Sequence, residues 1–176
     1  EARVRGLYNI IGYDMDDAFI AALKKQSLNG DIIKQVADDI KIVYTPFHGT
    51  GNIPVRRVLK ELGFKHVYVV PEQEKPDPDF TTLEYPNPED PKAFTLALKL
   101  AKEVDADIFL ATDPDADRLG VYSKDTKTGE YQSFTGNMSA MLIAEYILSQ
   151  RQEKGLLHKN GAFVKTIVST NMADSI

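Results

Sequence analysis

The chain contains no cysteine. That single absence excludes disulfides, thiol catalysis and thiolate metal sites, and it suits a reducing cytoplasm, which is the expected location. No apolar run approaches the length of a membrane span, so no membrane partner is expected. The opening EARVRGLYNI also lacks the charged, apolar and small-residue succession of a secretion signal. No run or stripe of Lys and Arg stands out, and the net charge is −5, so a nucleic-acid surface is not expected either. No internal repeat at a fixed period is visible.

What is present is ordinary for a soluble globular protein: 176 residues, 43% hydrophobic and 27% charged. That length allows one well-buried core and part of a second domain. Element types alternate along it. DDAFIAALKKQSL sets Phe19, Ile20, Leu23 and Leu28 at helical spacing, with Asp16 and Asp17 suited to the helix start. Ile40 to Thr45 is a β-branched run ended by Pro46, and reads as a buried strand. IPVRRVLKELGF repeats Val55, Val58, Leu59 and Leu62 at helical spacing, with Gly63 as its stop. HVYVV is a second strand.

Six prolines between Pro71 and Pro91 rule out helix or central strand there. The stretch is expected to be an ordered loop anchored by Phe80, Leu83 and Tyr85. KAFTLALKLAKEV resumes as helix with Phe94, Leu98 and Ala101 inward, ADIFLAT is a third strand, and RLGVYSKDTKTGEYQSF is a hairpin turning at TKTG. NMSAMLIAEYILSQ then reads as an apolar helix and AFVKTIV as a new strand. This order implies a three-layer α/β/α fold around an open mixed sheet, mostly parallel with an antiparallel edge. The chain divides into residues 1–135 and a further domain beginning at 136–176.

In such sheets ligands gather beyond the carboxyl ends of the strands. ADIFLA delivers TDPDADR to that edge, with Asp113, Asp115 and Asp117 at alternate positions and Arg118 next. Alternate residues of a tight loop can turn toward one point, and three anionic oxygens suit a hard divalent ion, Mg²⁺ above all. Arg118 is then a phosphate partner through its forked guanidinium. An EF-hand is excluded, because the sixth and twelfth positions hold Arg118 and Lys124 where Gly and Glu are required. A solvated acidic turn is the remaining alternative, since Pro and Asp favour turns unaided.

TPFHGTGN leaves the first strand at the same edge. Gly49 and Gly51 would let its backbone approach a ligand, although a plain strand-to-helix turn explains the stretch as well and no Walker motif follows. His48 there is either near a phosphate or a structural hydrogen-bonder, and His66 and His158 suggest no role. Glu72, Glu74, Lys75, Asp77 and Asp79 are expected in solvent, and Lys165, on its expected strand, can point into a cleft or lie along the surface.

YTPFHGTGN, PEQEKPDPDFTTLEYPNPEDPKAF, ATDPDADRLG, FTGNMSAMLIAEYIL and VKTIVST, in this order, resemble the α-D-phosphohexomutase superfamily, in particular its bacterial phosphoglucomutase and phosphomannomutase members. The resemblance implies the second of four domains and the start of the third. It implies an enzyme moving a phosphoryl group between the 1- and 6-hydroxyls of a hexose such as glucose or mannose, through a phosphoserine and a bisphosphorylated sugar. Mg²⁺ would sit on Asp113, Asp115 and Asp117, Arg118 would contact the phosphoryl group, and Lys165 would contact substrate. The family's Ser-His-Asn-Pro nucleophile segment, Glu-Glu-Ser-Gly sugar loop and Ser-Gly-Thr phosphate clamp have no counterpart here. A fragment without turnover of its own is therefore expected, with the remaining domains as its partners. Two other readings stand beside it: a stand-alone Mg²⁺- or phosphate-binding module, and a phosphatase of the haloacid-dehalogenase type. The latter wants Asp-x-Asp-x-Thr/Val, which this loop does not offer.

Overall fold

A computed structural model describes all 176 residues. Helices α1 (Tyr13–Lys24) and α2 (Gly30–Val36) precede strand β1 (Lys41–Thr45), helix α3 (Asn52–Leu62) and strand β2 (His66–Val69). A one-turn helix α4 (Pro71–Glu74) opens the proline-rich stretch, and a 3₁₀ turn at Pro91–Phe94 leads into α5 (Thr95–Val104). Strands β3 (Ile108–Thr112), β4 (Leu119–Lys124) and β5 (Tyr131–Phe134), helix α6 (Gly136–Glu153) and a 3₁₀ turn at Asn171–Ser175 complete the chain.

The five strands form one sheet in the order β2-β1-β3-β4-β5. β1 pairs parallel with both β2 and β3, while β3-β4 and β4-β5 are antiparallel. The crossover through α3 runs outward from β1 to β2, and that through α5 runs back from β2 to β3. Right-handed connections in opposite directions put their helices on opposite faces, which gives the expected three layers. They also leave a switch point between β1 and β3, so the loops leaving those two strands lie side by side at the carboxyl edge.

The core sits on the α5 face. Val43, Phe47, Val70, Phe94 and Phe109 are buried there with Ala97 and Ala101, which are one helical turn apart and small enough to let α5 close onto the sheet. Phe109 stacks on Tyr122 with ring centroids 4.5 Å apart, and Phe94 lies 4.7 Å from Tyr122. β4 could not approach this group with a larger residue at Gly120, where a Cβ would lie 2.7 Å from Pro88 O. α3 covers the other face without a fully buried side chain of its own. Its stop is the expected one: Gly63 takes the left-handed cap at φ 108°.

Several expectations are corrected. α1 begins at Tyr13, so Asp14 and Asp16 occupy its first turn; Phe19 is 54% exposed and Leu28 lies beyond the helix end, leaving Ile20 as the buried member of the stripe. The proline-rich stretch does contain a helix, α4, because Pro71 occupies the first helical turn, where no amide hydrogen bond is lost. Phe80 and Leu83 are half-buried anchors of that stretch, but Tyr85 is 59% exposed. AFVKTIV forms no strand: Val164 is 86% exposed and Ile167 fully so. Its apolar pattern fits a strand, but a strand needs a neighbour to satisfy its amides and carbonyls, and the sheet ends at β5.

Candidate metal centre

β3 ends at Thr112, and Asp113 is the first residue past the sheet edge. Pro114 fixes its own φ, and Ala116 takes the left-handed conformation at φ 62° while its amide donates to Asp113 O at 3.0 Å. The chain therefore reverses within four residues. The left-handed alanine costs roughly 1–2 kcal/mol relative to a helical one, a strain of the kind that gathers at functional loops.

The reversal brings the three carboxylates together. One oxygen from each of Asp113, Asp115 and Asp117 lies within 4.8 Å of the others. Asp113 is buried and Asp115 and Asp117 are exposed, so the cluster opens to solvent on one side. Asp113 is held by the Arg118 backbone amide, which donates to its Oδ1 at 2.9 Å. The Arg118 guanidinium lies 3.5 Å from Asp113 Oδ2 and 3.8 Å from Asp117 Oδ1, with its side chain about half exposed (53%). One cation facing three carboxylates leaves two negative charges uncompensated. The charges of Asp115 and then Asp113 accordingly hold the Asp117 carboxyl above its ordinary range despite Arg118. All donors are hard oxygens, and the open side leaves room for a phosphate oxygen or water, so the set fits a divalent cation of the Mg²⁺ type.

Beneath the loop, Tyr44 OH and Thr112 Oγ1 share a hydrogen bond of 2.8 Å, and burial pushes the Tyr44 phenol up to about 12. Neither residue carries a local signal in the sequence, since a tyrosine or threonine inside a β-branched strand reads as ordinary strand. Beside the loop, Arg118 borders a cleft of about 810 Å³ lined also by Glu89, Tyr122, Thr135, Asn137 and Ser169.

His48 lies at the same edge, buried, as a structural hydrogen-bonder. Its ring bonds Lys75 O at 2.7 Å through Nδ1 and Thr82 Oγ1 at 2.8 Å through Nε2. Gly49 and Gly51 approach the aspartate loop itself: a Cβ at Gly49 would lie 2.5 Å from Pro114 O. Lys165 is engaged elsewhere, 3.0 Å from Asp174 Oδ1 and 3.1 Å from Asn171 Oδ1.

Residues 17–128, which include the whole aspartate loop, match the family model described as phosphoglucomutase/phosphomannomutase, alpha/beta/alpha domain II. A phosphoglucomutase of Staphylococcus aureus (strain MRSA252) is 38% identical over 138 residues, 78% of this chain and 24% of that protein. One from Staphylococcus epidermidis (strain ATCC 12228) is likewise 38% identical with the same coverage. Among solved structures, a phosphoglucomutase/phosphomannomutase family protein from Burkholderia thailandensis aligns at TM-score 0.50 and 28% identity, over 70% of this chain and 26% of its own. A putative phosphomannomutase from Thermus thermophilus shares the fold at TM-score 0.58 and 24% identity, over 80% and 29% of the two chains. The chain thus spans about a quarter of the length of these relatives.

Proposed function

The chain belongs to the phosphoglucomutase/phosphomannomutase family, and on that premise we propose that it is the metal-bearing domain of a hexose phosphomutase. The reaction would interconvert hexose 1-phosphate and 6-phosphate, glucose or mannose being the sugars of the named relatives, through a phosphoserine and a bisphosphate intermediate. The observation that carries this reading is the convergence of Asp113, Asp115 and Asp117 within 4.8 Å beside Arg118, at the switch point of the sheet.

In this reading Asp113, Asp115 and Asp117 hold Mg²⁺, which when bound would neutralise charge on a transferring phosphoryl group. Arg118 would turn its exposed guanidinium from Asp113 and Asp117 toward a phosphoryl oxygen, binding and orienting it. The buried Asp113, fixed by the Arg118 amide, would keep both groups at one spacing. Lys165 is proposed as a substrate contact on the resemblance alone, a role that requires its ammonium to exchange Asp174 for a phosphate.

The nucleophilic serine would come from outside these residues. Residues 1–135 form the family's second domain in this proposal and 136–176 the start of its third, with the remaining domains as partners. Large apolar side chains left open on α6, Leu142 at 59% and Ile143 at 48% exposure, support such neighbours. The cysteine-free composition supports a cytoplasmic setting.

A coupled assay from glucose 1-phosphate to glucose 6-phosphate, with Mg²⁺ and a trace of bisphosphate, tests the proposal on this chain and on the complete product of its gene. Turnover is expected in the complete product alone. Turnover by these 176 residues would place a nucleophile among them and overturn the assignment of roles.

A further inference from the structure

The aspartate loop is gripped from the neighbouring strand end. Thr50 donates twice to Pro114 O, from its amide at 2.8 Å and from Oγ1 at 3.2 Å. A Cβ at Gly51 would lie 2.6 Å from both Thr112 Oγ1 and Tyr44 OH and 3.3 Å from the Ala116 methyl, while Gly49 rides directly on Pro114. The contacts fall on Thr112, Pro114 and Ala116, which are the residues alternating with the carboxylates. The turn therefore grips the spacers and leaves the three acidic side chains free to converge.

The turn is itself anchored from behind. Phe47 is fully buried in the core, and the His48 amide donates to Gln73 O at 2.9 Å. A carbonyl can only accept, so His48 Nδ1 carries the hydrogen that bonds Lys75 O, while Nε2 and Thr82 Oγ1 share a second hydrogen bond. Phe47 and His48 are held at φ 45° and 63°, an unusual conformation for non-glycine residues that persists because these anchors over-determine it. A continuous series of contacts thus runs from the proline-rich stretch through His48 and Gly49 to Pro114.

We propose that the turn Phe47–Gly51 is a positioning splint for the metal centre, fixing the spacing of Asp113, Asp115 and Asp117 through Thr112, Pro114 and Ala116 and so favouring a small cation of strict geometry over a larger, tolerant one. The inference rests on the reading of the loop as a metal centre. Mg²⁺ demands near-ideal octahedral geometry, whereas Ca²⁺ accepts varied arrangements at longer distances, so loosening the splint selectively harms Mg²⁺.

The test is Mn²⁺ binding to the 176-residue chain, read from the electron paramagnetic resonance of free ion, with Mg²⁺ and Ca²⁺ as competitors. Gly49→Ala forces Pro114 to move. Thr50→Ala removes one donor from an exposed position, and Thr50→Ser restores it. Gly49→Ala is expected to weaken Mn²⁺ about tenfold, the usual scale for residues that orient metal ligands, and to lower the Mg²⁺-to-Ca²⁺ affinity ratio. Thr50→Ala is expected to weaken Mn²⁺ by a smaller factor, about threefold, the scale of one modest hydrogen bond, with Thr50→Ser returning it to the parent value. Folded variants with parental affinities and ratio would overturn the splint, as would a lowered melting temperature without any change in binding. If Gly49→Ala does not fold, the Thr50 pair decides the question. A parent chain that binds no Mn²⁺ would overturn the metal reading and the splint with it; a parent that binds normally beside unaffected variants would overturn the splint alone.

Discussion

At Asp117 the two demands on the loop conflict most openly. Its carboxyl is pushed up by Asp115 and Asp113, so in the metal-free chain its ionised form is disfavoured in the fold relative to the open chain. That cost is present at neutral pH and is relieved as pH falls through the raised folded value. Asp117→Asn should therefore raise the melting temperature of the chain in chelator at neutral pH while abolishing stabilisation by added Mg²⁺. Scanning fluorimetry with and without the ion checks both; a lower melting point in chelator would show that repulsion is not what Asp117 contributes. The acidic triad and Arg118 were legible in the sequence because strand-end placement and spacing are local. Tyr44 and Thr112 were not, since their hydrogen bond joins residues 68 apart in the chain.

The proline-rich connection is the element whose behaviour the sequence captured in outline and missed in mechanism. Its sequence predicts order from apolar anchors, and Leu83 does pack on the core. Much of its order comes instead from Asp77, which accepts hydrogen bonds from the Asp79 amide at 3.0 Å, the Thr81 amide at 2.9 Å and Thr81 Oγ1 at 2.6 Å. The Thr81 hydroxyl, followed by the Thr81 and Asp79 amides, holds the Asp77 carboxyl below its ordinary value. A depressed folded value means stabilisation that is fully present above the unfolded value, about 3.9, and lost as pH falls through the folded one. Asp77→Ala should thus lower the denaturation midpoint at pH 7, and the gap to the parent should close in acid. A gap independent of pH would leave the effect to the turn's backbone alone. Residues 162–168 show the opposite limit: their period is that of a strand, yet no strand edge is paired with them.

For the whole molecule the proposed function is decided by activity in the complete gene product. Asp115 is exposed and carries no packing, so under the proposed function Asp115→Ala in the complete gene product should leave the circular dichroism of the fold unchanged while removing mutase turnover. On the scale of a metal-dependent phosphoryl transfer the loss should be on the order of a thousandfold or more. Near-normal turnover would remove the metal assignment. Family membership also leaves the dehalogenase-type reading without support, as the loop lacks the Thr or Val that motif requires.

Apart from the one-turn α4, the sequence by itself determined the alternation of helices and strands from β1 to α6, the hairpin, the position of the acidic loop at a strand end and its oxygen-only chemistry. Each of these depends on residues close together in the chain, where periodicity, turn residues and charge act directly. Only the tertiary structure decided which loops lie side by side. The switch point sets Gly49 and Thr50 against Pro114, gives His48 to Lys75 and Thr82, and leaves residues 162–168 without a strand partner. Those outcomes follow from the order of strands in the sheet and from hydrogen-bond partners distant in the chain, which no local pattern specifies.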